Sequence, residues 1–211
     1  MSGHMPSATT ARARAHERPA RALTIAAILL AIAGCATVKE LAALRRVNFS
    51  LDRVDNVRLA GVRVDDKRSY SDLSVSEATR IAASIAANEA PLDLVLHVRA
   101  ENPKDNAVDA RLIDLDWTLF LESKETVSGK LAGNYLLPRG EPVDVPVGAK
   151  LDLLRFFQGN ARDLFELALA LAGQGGATKE VRLEALPTIQ TSLGPIRYPG
   201  RIVIRREVGR R

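Results

Sequence analysis

Two stretches of alternating apolar and polar residues organise this chain. Leu92, Leu94, Leu96, Val98 and Ala100 fall on one face of an extended strand, and Asp93, Val95, His97 and Arg99 fall on the other. The stretch from Ile113 to Leu121 repeats the pattern. Ile113, Leu115, Trp117, Leu119 and Leu121 point one way, and Asp114, Asp116 and Thr118 point back. Between them lies Asn102-Pro103. The proline ring fixes its own φ and keeps Asn102 extended, and the asparagine side chain is free to bond backbone beyond it. Two half-buried strands flanking a proline-initiated turn predict an antiparallel β core in which these strands answer each other.

Weaker alternations surround this centre. Phe49, Leu51, Val54, Val57 and Leu59, then Val62 and Val64, predict two short strands or one long bent one, followed by a charged turn at Asp65-Asp66-Lys67-Arg68. Ser74 and Glu77 have capping-box spacing, which starts a helix carrying an apolar stripe of Val75, Ala78, Ile81, Ala82, Ile85 and Ala86. Arg80 lies opposite the stripe, and Pro91 forbids continuation past Ala90. Thr126 to Leu137 reads as a strand pair, or as one strand with a bulge near Gly129 or Gly133. Arg139-Gly140-Glu141-Pro142 is a turn. Val143, Val145 and Val147 alternate with Asp144 and Pro146, and the proline predicts a sheet edge. Lys150 to Phe157 and Ala161 to Ala172 read as helices, the second strongly apolar and stopped at Gly173. Val181, Leu183 and Ile202 to Ile204 supply closing strands around turns at Gly194-Pro195 and Pro199-Gly200. The expected architecture is a mainly β, antiparallel β-sandwich of immunoglobulin or fibronectin type with one or two packed helices.

An alternating strand ending in Asn102-Pro103, a Leu115-Asp116-Trp117 strand, Gly129, and Leu137-Pro138 before Val143-x-Val145-x-Val147 together carry a resemblance. The sequence resembles the type 2 late embryogenesis abundant (LEA) family, whose domain is also called the water-stress and hypersensitive-response (WHy) domain. The likeness runs from about Phe49 to Ile204, with Lys104 where that family has a second asparagine. It implies a β-sandwich in which Asn102 and Pro103 form a structural turn and Trp117 belongs to the core. It brings no catalytic residues with it, and implies a role in stress or desiccation protection, or in interaction.

The N-terminus adds a location. Residues 1–34 have a basic, alanine-rich start, an apolar run from Ala22 to Ala33, and then small residues. Ile32-Ala33-Gly34-Cys35 resembles a bacterial lipobox, at which the thiol takes a diacylglyceryl group and cleavage makes Cys35 the new N-terminus. Cys35 is the single cysteine in the chain, which excludes an intrachain disulfide and a cysteine-based metal site. The expected organisation is a lipoprotein signal peptide at 1–34, a tether at 35–47, a LEA type 2-like domain at 48–205 and a basic tail at 206–211. The membrane contact would be the lipid at Cys35. Ala36, where aspartate would signal inner-membrane retention, points to the outer membrane facing the periplasm. Two other readings stay open. The 17-residue uncharged run from Ala22 to Val38 is at the lower edge of a membrane span, or Cys35 is an incidental buried thiol.

Charge and chemistry then narrow the function. The formal net charge is +5, but Arg12, Arg14, Arg18 and Arg21 precede Cys35 against Glu17 alone, so the remaining chain carries about +2. No concentrated basic face favours nucleic acid. His97 is the only histidine after the leader, and a hydrolase would pair it with Ser123 or Ser128, yet no Gly-x-Ser-x-Gly elbow exists. On the polar face of a strand, His97 reads as a solvated or edge residue. Asp114 and Asp116 share one strand face, unlike glycosidase carboxylates facing across a cleft, and read as solvated charges. Asp65-Asp66 lacks the oxygens calcium needs. Neither cofactor nor metal is expected. The basic tail reads as a solvated terminus, and the apolar helix after Ala161 as a cover for one open end of the sandwich. The expectation is a non-enzymatic, lipid-anchored envelope protein with protein clients. The alternative is an envelope binding module holding a lipid or hydrophobic ligand against that helix.

The lipobox reading has a direct check. Cys35→Ser should leave an uncleaved, unlipidated precursor, whereas the native protein should partition into detergent, since each buried CH₂ of its acyl chains contributes about 0.8 kcal/mol. A mature N-terminus anywhere but Cys35, read by mass spectrometry, would refute it.

Overall fold

The computed structural model describes residues 47–209 except 107, 176–177 and 192–193. The leader, Cys35 and nearly all of the expected tether lie outside the described residues, as do Arg210 and Arg211.

Among the described residues the chain is mainly β. The strands are β1 (Asn48–Leu59), β2 (Val62–Arg63), β3 (Pro91–Glu101), β4 (Ala110–Leu121), β5 (Lys124–Leu137), β6 (Pro142–Asp152), β7 (Lys179–Thr191), β8 (Gly194–Arg197) and β9 (Ile202–Val208). Helix α1 (Val75–Ala86) lies between β2 and β3, and α2 (Ala161–Leu171) between β6 and β7. One antiparallel sheet has the order β2-β1-β3-β6, and the other β5-β4-β7-β8, with β9 also on β7. β6 runs beside β5, and β1 beside β9, so the two sheets curl toward each other at both margins.

The predicted faces of β3 hold. Leu92, Leu94, Leu96, Val98 and Ala100 are all buried, and the residues between them are not. Each such leucine or valine contributes on the order of 1.5–3 kcal/mol by leaving water. β3 and β4, however, do not pair. β3 lies between β1 and β6, and β4 lies between β5 and β7, so the segment after Asn102 crosses from one sheet to the other. On β4 the register slips between Leu112 and Asp114. Ile113 is therefore only half-buried and Leu112, at 1% exposure, takes the inward place. From Leu115 onward the predicted register is correct.

Asn102 fixes this crossing. It is fully buried. Its Nδ2 donates to the carbonyls of Leu137 at 2.8 Å and Val108 at 3.3 Å, and its Oδ1 accepts from Asn106 Nδ2 at 2.6 Å. The Asn102 carbonyl accepts the Gly140 amide at 2.6 Å. One side chain thus ties together the end of β3, the crossing loop and the end of β5. Gly140 has φ +80, a conformation that favours glycine, and the Lys104 side chain lies across the space a Cβ would take.

Trp117 is buried in the core, in register with Gly129 on β5 and Ala185 on β7. A Cβ on Gly129 would lie 2.4 Å from Trp117 Cζ2. Gly129 is therefore a seat for the indole. The register irregularities of β5 lie at Thr126 and around Gly133–Asn134.

Elsewhere the physical reason for each difference is local. α1 starts at the predicted capping box, where Ser74 Oγ accepts the Glu77 amide and Glu77 Oε2 accepts the Ser74 amide. It stops earlier than the proline requires. Asn88, at φ 61, sends its amide to Ile85 while Glu89 bonds Ser84, a left-handed cap. The stripe is narrower than expected, since Ile81 is buried but Val75 is 85% exposed. Lys150 to Phe157 is not a helix. β6 continues to Asp152, whose Oδ1 accepts the amides of Ala90 and Leu154 and ends the strand in a single turn at Leu153–Arg155. β6 is the outer strand of its sheet, as Pro146 predicts. The boundary expected at 205 falls inside β9, which includes Arg205 and Arg206.

α2 is the cover expected of it. It contacts β1 of one sheet and β7 of the other, and Phe165 meets Tyr70 edge-on at 5.7 Å. Asn160 caps its start, and Gly173 at φ +70 ends it.

Two sets of variants test this core. Asn102→Ala strands the Leu137 carbonyl in a buried place and removes the Asn106 bond to Oδ1, and it should cost about 3 kcal/mol in urea unfolding, against under about 0.5 for Lys104→Asn. Trp117→Ala should cost about 3–5 kcal/mol. A smaller loss for Asn102→Ala than for Lys104→Asn would remove Asn102 from its central place.

Candidate functional site

The sequence offers His97 as its one candidate base, and the structure surrounds it on the outer face of the β2-β1-β3-β6 sheet. Arg53, His97 and Pro146 stand in one row across β1, β3 and β6. A bulge between Leu51 and Arg53, with a second register shift between Asp55 and Arg58, turns several β1 polar side chains outward together. His97 Nδ1 lies 2.7 Å from Asp144 Oδ2 and 3.0 Å from Arg53 Nη2, and Nε2 lies 3.0 Å from Asp55 Oδ1. The side chain is only 12% exposed. It is neither solvated nor free. Its ring spans β1 to β6 over the top of β3.

Arg53 completes the cluster through Asp52 at 3.1 Å and Asp55 at 3.3 Å, with Asp144 at 3.8 Å. Burial opposes its charge, but the hydrogen bond to Asp52 and the charge of Asp144 outweigh that and raise its pKa above the ordinary arginine value. Asp55 is 37% exposed and Arg53 and Asp144 are each 50% exposed, so water screens these pairs strongly. The arrangement links strands. Asp52, Arg53 and Asp144 also line a small hollow of about 140 Å³, and both ring nitrogens of His97 are already engaged.

The two serines sit elsewhere. Ser128 is on β5 of the other sheet, bonded to Thr118 at 2.9 Å, and Ser123 is in the β4–β5 turn at φ 63. Neither belongs to the His97 cluster. Asp114 and Asp116 do share the outer face of β4, where Lys130 Nζ lies 2.6 Å from Asp114 and 3.8 Å from Asp116, and Arg197 binds Asp116. The hydrogen bond to Asp114, reinforced by its charge, raises the Lys130 pKa above the usual lysine range. Asp114 is only 21% exposed, and its Oδ1 has no hydrogen-bond partner among the described residues. Both carboxylates are paired, and Asp116 keeps 35% of its side chain exposed. Asp65 caps backbone, accepting the Val57 amide. No group of three or more potential metal-ligating side chains occurs among the described residues.

A cleft of about 1020 Å³ opens between β1, β9 and the end of α2, with Leu51, Val54, Leu171 and Val208 beneath Arg53 and Arg206. Arg206 is not a tail residue in solvent. Its Nη1 donates to the carbonyls of Leu51, at 2.7 Å, and Asp52 and joins β9 to β1. Leu164, Phe165, Ala168, Leu169 and Leu171 are all at 1% exposure or less, and a hollow of about 540 Å³ lies beside α2 between Leu164, Leu167 and Phe157 and the charges of Lys124 and Lys179.

No family model and no curated protein matches this sequence. Solved structures with similar strand arrangements exist at low identity. A protein from Archaeoglobus fulgidus is 13% identical, with a TM-score of 0.35, covering 75% of this chain and 94% of its own. At2g46140.1, described as a late embryogenesis abundant (LEA) protein, is 14% identical with a TM-score of 0.37, covering 90% of this chain and 86% of its own. AT1g01470 from Arabidopsis thaliana is 15% identical with a TM-score of 0.41, covering 76% and 80%. At these identities and TM-scores the likeness assigns neither family nor activity.

Sequence reading found His97 and missed Arg53, Asp55 and Asp144. Asp144 was visible as the polar partner of Val143 and Val145, and Asp55 only as a break between alternations. Strand order alone brings them together.

Proposed function

We propose that this chain is a LEA type 2-like domain held at the cell envelope by a lipid on Cys35, and that it acts by contact. The observation that carries the reading is the state of His97, whose two ring nitrogens are held by Asp55, Asp144 and Arg53 on an open sheet face. A base in that position links strands instead of serving a substrate. The Asn102-Pro103 motif behind the family resemblance supports the same reading, because Asn102 does structural work in the crossing loop. Both outer faces carry opposite charges interleaved along the strands, with Lys130 among Asp114 and Asp116, and Lys150 beside Asp93. Such faces stay hydrated and can cover unfolding neighbours without chemistry. Stress or desiccation is the condition in which that would matter, and the outer membrane facing the periplasm is the expected site.

The cleft at the end of α2 favours a second reading, a binding module for a lipid or hydrophobic ligand. Its lining of arginines and Glu207 over a small apolar floor fits a headgroup better than a chain.

The test uses the chain from about residue 39 onward. It should reduce aggregation of a dried or heated client enzyme, and His97→Ala and Asp114→Ala/Asp116→Ala should protect as well as wild type. A hydrolytic activity abolished by either variant would overturn the non-enzymatic reading. Protection no better than an equal mass of albumin would favour the binding module.

A further inference from the structure

One row of the outer face is charged in a way its own fold does not explain. Across β2, β1, β3 and β6 stand Arg63, Arg58, Asp93 and Lys150 in register. Like charges placed directly opposite each other destabilise a sheet. Arg58 and Arg63 are so placed, and neither makes an ion pair or side-chain hydrogen bond among the described residues. Asp93, the register neighbour of Arg58, is bound instead by Lys150 at 3.3 Å. Three cations face one carboxylate that is already taken.

Beside this row lies a shallow hollow of about 400 Å³ with Val95 at its floor and Arg58, Asn56, Asp93, Gly148 and Lys150 around it. A Cβ on Gly148 would meet nothing within 4 Å. Packing does not require glycine there, and a glycine inside a strand often marks a place where another chain comes close.

We propose that this row and hollow form a docking surface for an acidic segment of a partner protein. Carboxylates of the segment would meet Arg58 and Arg63, and an apolar side chain would rest on Val95 beside the bare backbone of Gly148. The occupant is local because the middle of the same face is acidic. Asp52, Asp55 and Asp144 lie there around Arg53 and His97, and they repel an anionic bilayer or a polyphosphate laid across the sheet. The surface stands apart from the protective role proposed above, since it would bind its segment whether or not the domain protects clients.

The probe is a dye-labelled peptide of alternating glutamate and leucine, titrated with the full chain and followed by fluorescence anisotropy. Binding should weaken as salt rises. Loss of the two contacts in Arg58→Gln/Arg63→Gln should reduce affinity about tenfold. Arg63→Gln alone should reduce it by a smaller factor without lowering the melting temperature, and Gly148→Leu should fill the hollow and also weaken binding. Arg201→Gln/Arg205→Gln removes the same charge from exposed positions at β9 and should bind like wild type. Equal losses in the two double variants would reduce the effect to net charge and overturn the proposal. So would binding to phosphatidylglycerol vesicles with the same variant dependence and none to the peptide, or a fall in melting temperature that accompanies the Arg63→Gln loss.

Discussion

A single buried amide governs how the two sheets are joined. Asn102 leaves β3 fully out of water, and its donors and acceptor are matched by Leu137, Val108 and Asn106. A buried amide without partners costs several kcal/mol, so the loop adopts the one conformation that supplies them all. That conformation carries the chain across to β4 and brings the end of β5 to the same point. The Arg139 amide and guanidinium on Asp109 Oδ1 then fix the loop from outside. The crossing thereby joins β3 of one sheet to β4 and β5 of the other.

The legible part of the fold was the part set by single-strand chemistry. β3, β6 and most of β4 announce themselves by alternation, and Pro146 declares its edge. What alternation does not say is which strand lies next to which. Asn102-Pro103 is compatible with a hairpin and with a crossing, and the distant Leu137 carbonyl decides between them. The slip at Ile113 was hidden because Leu112 is also apolar, so either residue satisfies the pattern. Lys150 to Phe157 read as a helix, but the carboxylate of Asp152 gives the backbone a better stop.

The candidate chemistry shows the same division. His97 is visible in sequence as a lone titratable ring on a polar face. Its partners come from strands 42 and 47 residues away, and register brings them together. The bulge in β1 that turns Asp55 and Arg53 outward leaves no mark stronger than an interrupted alternation. A histidine clamped in this way stiffens three strands at once. The free charges lie further along the same face, where Arg58 and Arg63 oppose each other. The face thus divides into a stretch that satisfies itself and a stretch that does not.

The closed margins of the sandwich have a consequence for what happens when water is withdrawn. A long strand with unpaired amides recruits other chains as concentration rises, and drying raises concentration without limit. Here β6 lies against β5, and β9 is bound to β1 by the Arg206 guanidinium on two carbonyls. In hydrogen-bond order the outermost strands are β2, of 2 residues, and β6 in one sheet, and β5 and β8, of 4 residues with Pro195 among them, in the other, with β9 also on β7. A neighbouring chain must therefore approach β5 or β6 past the strand of the other sheet that lies against it, and β9 past the Arg206 tie. Such margins obstruct edge-to-edge growth at the concentrations that drying produces.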